Sequence, residues 1–436
     1  MRSVIRDSRW RWAFWPVPLI FLAVGLALPG FTHGIDESLD IAVRGADPSW
    51  EFLPGSVEAS RAVASTVAAA MLSFIGVVFS ISVIALQMAA SQLSPRILRI
   101  FILQRLTKWT LGVFVGTFAF SLSVLGFLDD GDSSDRHEFL PVLSVLTIWF
   151  WVSTSLVLFI AYVSRLIKLM QPVALIDLTA LEAWYAFRHL RYEDSPIRPE
   201  QVDWGEQRFV VRSRRTGVVT NVDVSRLIRM ARSGDWVLRV RPRIGDFLTR
   251  DSPLVEGYAR RTDGRGPSGR DRFAEFLIRR SFRFGSQRVV TADPAYGLRL
   301  LVDIAVRALS AAINDPTTAV QALDRIVELL RVAGNVPDPT GVHTDRLGVP
   351  RVVRELPCWD RLVRLGCTEI RRCGADSPQV TRRLLAGLDD LAGTLPEDRR
   401  PVLSEQRILL VEAVQAAVPN LDEREVSLRP DREGLG

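Results

Sequence analysis

The segment Asn314-Asp315-Pro316-Thr317-Thr318 gathers the side chains best suited to hold a ligand. A helix opening there would present free backbone N–H groups beside two hydroxyls, an arrangement that receives a phosphate or carboxylate. Arg283, Arg288, Arg299 and Arg307 are near enough in sequence to add guanidinium groups. The same residues also fit a purely structural role. Asp315 stands where a cap belongs and Pro316 at the first helical position, so the aspartate itself can accept the orphan N–H groups. The set Asn314, Asp315, Thr317, Thr318, Arg299 and Arg307 is thus either an anion or ligand site or a helix cap. Asp293-Pro294 repeats the device one helix earlier.

Other chemistries find no residues to carry them. The chain has no GxGxxG, P-loop, HExxH or GxSxG pattern. Cys358, Cys367 and Cys373 lack the spacing of a metal knuckle, and His33, His137, His189 and His343 are scattered. Asp246 and Asp251 fall at turns. No catalytic, cofactor or metal set is assigned, and an enzyme is the least expected class. The net charge of +6 is carried almost wholly by arginine, since Lys108 and Lys168 are the only lysines. A nucleic-acid site would need a basic face with interleaved aromatics, which the sequence does not show.

A second pattern concerns polarity within an apolar run. Between Arg61 and Arg96 stand thirty-four residues without a charge. As a helix they would reach roughly 50 Å, more than the bilayer core requires. Thr66, Ser73, Ser80, Gln87 and Ser94 recur every seven residues and so form one stripe. Such a stripe either lines a water-filled path where copies meet, or simply allows close helix packing. In the next apolar segment Gly112 and Gly116 form a GxxxG pair, with Ser123 two turns on, a packing surface for another helix.

These residues need membrane helices to position them. Apolar segments at about 12–29, 62–93, 109–128 and 139–163 are each long enough to span. The flanking charges alternate. Arg2, Arg6, Arg9 and Arg11 precede the first segment, and Arg96, Arg99, Arg105 and Lys108 lie between the second and third. The other two loops are acidic, one from Asp36 to Glu58 and one from Asp129 to Glu138, and Arg165 and Lys168 follow the fourth segment. Basic short loops stay in the cytoplasm, so both termini are expected inside. A cleaved signal peptide is the rival for the first segment, but it would break the alternation.

Residues 1–168 then form the transmembrane domain, and the rest a cytosolic α+β region. A connecting helix and a small β-rich module occupy 169–258, with RFVVR, GVVTNV, WVLRVRP and SPLVEGY as strands and a helix capped by Asp223 among them. Residues 259–271 form a Gly-rich, flexible loop, 272–420 a helical domain, and 421–436 a disordered polar tail. Within the helical domain, Pro337 and Pro339 mark a linker and Pro350 opens the last helical block.

The stretches SFIGVVFSISVIALQMAASQLSPRILRIF from Ser73, LGVFVGTFAF from Leu111 and DIAVRALSAAINDPTTAVQALDRI from Asp303 resemble a family of bacterial predicted membrane proteins, domain-of-unknown-function 2254. The resemblance runs in order across most of the chain. It departs at Ala311, where members typically carry proline. It implies four membrane helices with a large cytosolic domain and names no substrate.

The expected function is therefore non-enzymatic. No Asp, Glu, Lys, Arg or His lies within the four apolar segments, whereas coupled pumps usually need ionisable groups at membrane depth. The chain is expected to self-associate in the bacterial inner membrane and to form a passive ion or small-solute pathway with a cytosolic gating or assembly domain. The alternative is a membrane-anchored sensor or scaffold whose cytosolic domain binds a ligand or partner.

Overall fold

The computed structural model describes residues 15–43, 57–92, 105–129, 141–169, 171–190, 195–259, 271–288, 290 and 293–433. It divides into two units, Met1–Gln171 and Pro172–Gly436.

Among its described residues the first unit holds four long helices: α1 Pro16–Val43, α2 Val57–Gln92, α3 Arg105–Asp129 and α4 Val142–Leu169. Each contains a stretch long and apolar enough to cross a membrane. Helix α3 lies at the centre and packs against the other three. Its Val113, Phe114, Ala119, Phe120 and Val124 are buried there. Helix α1 runs past Pro29, where the sequence suggests a stop. Proline costs one backbone hydrogen bond, the one to the Gly25 carbonyl, yet a membrane helix tolerates it, and just beyond it Thr32 Oγ1 donates to Pro29 O at 3.2 Å. Asp36 therefore lies on a helix rather than in a loop.

Side-chain hydrogen bonds join the helices of this unit. Thr117 Oγ1 and Ser155 Oγ pair at 3.1 Å between α3 and α4, and Ser82 pairs with the Tyr162 hydroxyl between α2 and α4. The guanidinium of Arg61, near the start of α2, donates to Leu128 O at 3.0 Å, a cation on the last carbonyls of α3.

The second unit opens with α5 Pro172–Leu190. Strands β1 Glu206–Arg212, β2 Gly217–Val222, β3 Trp236–Val240, β4 Phe247–Leu248 and β5 Pro253–Ala259 follow, with α6 Val224–Ser233 after β2. Asp223 caps α6 by accepting from Arg226 N at 3.0 Å. Next come α7 Asp271–Arg280, β6 Phe282–Gly285, α8 Pro294–Ala308 and α9 Pro316–Gly334. Strands β7 Val342–Thr344 and β8 Pro350–Arg354 precede α10 Trp359–Cys373, α11 Pro378–Thr394, α12 Arg400–Ala417 and α13 Leu421–Ser427.

One sheet has the order β1-β5-β3-β8-β7 and the other β4-β2-β6. Their shared core buries Val211, Val219, Leu227, Leu238, Val255 and Ile278. The β-module is therefore not a closed segment of sequence. Strand β6 comes from the region expected to be all helix, β7 lies just after the proline linker, and PRVVR forms β8 instead of opening a helix. Strand β8 is held by parallel pairing with β3 and antiparallel pairing with β7, contacts that a local pattern does not contain.

The C-terminal segment also departs from expectation. Residues 421–427 form α13, capped by Asn420, and Thr381 Oγ1 donates to Ser427 O at 3.0 Å. Arg432 pairs with Asp390 at 2.6 Å, so this polar tail is tied to α11. Residues 260–270, most of the expected flexible loop, lie outside the described residues.

A buried ion pair fixes the β7–β8 turn. Arg351 Nε donates to Asp345 Oδ2 at 2.9 Å, while its other arm reaches Asp235 Oδ1 at 2.8 Å. Burial pushes the Asp345 carboxyl up, but Arg351 and the N–H groups of Leu347 and Val349 outweigh it and hold the carboxyl below the usual aspartate range. A depressed acid adds stability that is present above its unfolded pKa and lost as pH falls through its folded one. Melting of the full chain should fall on acidification below about pH 4, and Asp345→Asn should melt lower at pH 7 but flatten that acid limb. An unchanged acid limb in the variant would refute the assignment.

Candidate functional site

The sequence stripe and the membrane unit meet on α2. This helix buries Ala64, Ala68, Met71, Val78 and Ala85, a seam repeating mostly every seven residues. Thr66, Ser73, Ser80 and Gln87 lie two residues further on, about 200° around the helix. All four are exposed. The stripe is thus not the surface by which α2 packs on its own chain. Leu72, Val77, Phe79 and Ile84 flank it, also exposed. Ser73 Oγ donates to Ala69 O at 3.1 Å, which satisfies that hydroxyl within the helix. The side chains of Thr66, Ser80 and Gln87 meet no hydrogen-bond partner among the described residues. Ser94 lies outside the described residues.

The GxxxG pair faces inward. A Cβ on Gly112 would lie 2.8 Å from the Phe21 ring, and one on Gly116 would lie 2.5 Å from the Trp151 ring. Gly25 of α1 sits against the Gly116 carbonyl. Gly112 and Gly116 therefore serve the crossing with α1 and α4, and Ser123 is half-buried on the same helix.

In the second unit Asp315 is fully engaged. Its Oδ1 accepts from Thr318 N at 3.0 Å and its Oδ2 from Thr318 Oγ1 at 2.6 Å. Asn314 adopts a left-handed φ of 49°, a conformation asparagine tolerates, and closes the turn into α9. Thr317 Oγ1 accepts from Gln379 at 3.4 Å. Arg299 does not join them. It sits near the start of α8, bonds Asp303 at 2.7 Å and forks onto Glu369 of α10, whereas Asp315 N reaches Ala308 O at the far end of α8. Arg307 stands in the last turn of α8.

The other Asp-Pro start opens onto a cleft. Strands β3 and β8 run parallel with Val240 beside Arg354, so their carboxyl ends emerge together. The chain continues from them into Pro242-Arg243-Ile244 and Glu355-Leu356-Pro357, which form two walls. Asp293-Pro294-Ala295 at the start of α8 and Arg361 in the first turn of α10 complete a small cleft of about 60 Å³, open to solvent. Space beyond the carboxyl ends of parallel strands is where ligands commonly bind in α/β folds.

Four arginines line this cleft. Arg243 pairs with Glu355, and its N–H donates to Asp246 Oδ2 at 2.8 Å. Arg354 is buried at 9 % exposure, and its Nε donates to His343 Nε2 at 3.0 Å. Arg288 Nε donates to Gly245 O at 3.0 Å. That close approach explains the glycine: with φ at 94°, a Cβ there would lie 2.6 Å from the Arg288 guanidinium. Asp293 Oδ1 accepts from Tyr296 N at 3.2 Å, and Arg288 lies 3.8 Å from the other carboxylate oxygen. Burial pushes the Asp293 carboxyl up, against the pull of Arg288, the Tyr296 and Ala295 N–H groups and Arg361. The arrangement can hold an anion beside an apolar wall. Asp293-Pro294 was visible in the sequence, but the strands that complete the cleft were not.

Comparison with known proteins places the chain. Residues 11–390 match the family described as Predicted membrane protein (DUF2254). The uncharacterized protein Rv1290c of Mycobacterium tuberculosis is 28% identical over 421 residues, 95% of this chain and 79% of that protein. The uncharacterized protein Mb1321c of Mycobacterium bovis matches with the same identity over the same shares. No solved structure matches.

Proposed function

The chain belongs to the DUF2254 family of predicted membrane proteins, and from that premise we propose that its copies associate along the polar face of α2 and leave an uncharged path for a small solute or ion. The observation that carries this reading is the outward position of Thr66, Ser73, Ser80 and Gln87. Ser73 can satisfy itself on its own helix, but a Gln87 carboxamide has two donors and an acceptor that hydrocarbon cannot meet. A second copy, or water held between copies, meets them. The GxxxG pair is already used within the chain, so α2 rather than α3 supplies the contact.

The reading includes four crossings with both termini and the second unit in the cytoplasm, supported by the alternation of basic and acidic loops. It is non-enzymatic, and the second unit gates or assembles the pathway. A membrane-anchored sensor is the second reading, favoured by the arginine-lined cleft.

Cysteine placed at Ser73 or Ser80, with the native cysteines replaced, should cross-link between copies in membranes. Vesicles containing the full chain should pass small ions, and Ser80→Leu with Gln87→Leu should abolish that flux. A monomer in lipid with no flux refutes the pathway. Intact ligand binding in the double variant, without any flux in either protein, favours the sensor.

A further inference from the structure

We propose that the cleft beyond the carboxyl ends of β3 and β8 binds a phosphomonoester with an apolar body, gripped by Arg288 and Arg361. The inference goes beyond association along α2 and does not depend on it. The cleft is small, about 60 Å³, and open to solvent, so it suits a phosphate head whose ester group leaves along the apolar rim. Its charges are not all committed to one another. Arg243 is taken by Glu355, and Asp293 Oδ1 is taken by the Tyr296 N–H. Arg288 meets the remaining Asp293 oxygen only at 3.8 Å, an ion-pair distance rather than a hydrogen bond. Its fork therefore keeps N–H groups for a further acceptor. Arg361 makes no ion pair with a described residue, and it lines the same cleft.

Two guanidinium forks that line one cleft from different elements suit a tetrahedral dianion, which can accept from both at once. A carboxylate offers half the charge and only one plane. Ile244, Leu356 and Pro357 supply an apolar surface for the ester group. Asp293 opposes an anion, but its buried carboxyl is turned to the helix N–H and disfavours its charged form. The ligand phosphate accordingly belongs on the Arg361 side of Arg288.

Phenyl phosphate is a suitable probe for the full chain in dodecyl maltoside, followed by titration calorimetry and by thermal shift. Binding should saturate, and it should exceed that of phenylacetate by about tenfold or more, as expected for one added charge-assisted contact. Arg288→Gln with Arg361→Gln should weaken it by about tenfold or more while the unliganded protein still melts as one transition. Arg364→Gln with Arg400→Gln removes the same charge elsewhere and should bind as the wild type does. Arg361→Lys alone should bind between the two, because it keeps the charge and loses the fork. If the double variant fails to fold, Arg361→Gln alone, at an exposed position, carries the comparison. Competition by phosphatidic acid in nanodiscs would place the phosphomonoester on a lipid, whereas competition by soluble phenyl phosphate only would place it in solution. No saturable binding, equal affinity for phenylacetate, or equal loss in the two double variants would overturn the proposal.

Discussion

Gly25→Ala should destabilise the membrane unit more than any other single added methyl on its helices. The new Cβ would lie 2.4 Å from Gly116 O and 3.0 Å from the Ala119 Cβ. The first of these is backbone, so no rotamer change relieves it, and α1 and α3 must separate along their crossing. Overpacking of this kind costs about 1–3 kcal/mol, and Gly25→Leu should cost more. Gly116→Ala meets the Trp151 ring at 2.5 Å, a side chain that can shift, so its penalty should be smaller. Gly126→Ala and Gly76→Ala meet nothing within 4 Å. Those two should be neutral or gain up to about 1 kcal/mol from helix propensity. Melting of the full chain in detergent, read by size-exclusion chromatography after heating, ranks the series. Gly25→Ala melting with Gly126→Ala would rule out the close crossing.

That crossing shows what spacing in a membrane helix discloses. Gly112 and Gly116 announce that a backbone approaches closely, but not which one, because the partner Gly25 lies on another helix outside that helix's own GxxxG pair, Gly30 and Gly34. The α2 stripe behaves likewise. A seven-residue repeat places Thr66, Ser73, Ser80 and Gln87 on one face, and only the neighbouring helices decide that this face points away from them. The buried seam two residues earlier is built of alanine, methionine and valine, which the apolar background hides.

The second unit was legible where its order is local and obscure where it is not. Asp223, Asp293 and Asp315 all cap helices by accepting from an N–H three residues on, as their types and places suggest. Asp293 and Asp315 look alike in sequence, yet only Asp293 borders a cleft, because β3 and β8 deliver their ends to it. Strand β8 is short, carries Arg351 and Arg354, and begins with a proline that suits a helix start equally well. Its state is set by pairing with β3. The polar tail is ordered for the same reason, through long-range contacts to α11.

Asp36→Ala should unlock the start of α4. Asp36 is 1 % exposed, and its two oxygens accept from Leu143 N at 2.6 Å, Ser144 N at 3.1 Å and Ser144 Oγ at 2.7 Å. A carboxylate of α1 thus caps the N-terminus of α4, where the helix dipole favours negative charge. Hydrogen bonds to charged groups contribute about 1.5–3 kcal/mol each, and a lost cap alone costs about 0.5–2 kcal/mol. Since the three bonds share one acceptor group, the variant should lose roughly 2–4 kcal/mol rather than their sum. Asp36→Asn keeps one acceptor oxygen and should lose less, and Ser144→Ala, which removes only the hydroxyl, least of all. Heating the full chain in detergent gives that order as three melting temperatures. If Asp36→Ala melts with the wild type, the bonds to α4 carry no net stability. An acid placed among the loop charges by its sequence would then be topological after all. The burial of Asp36 between two helices predicts the opposite, because its removal leaves the N–H groups of Leu143 and Ser144 without their acceptor.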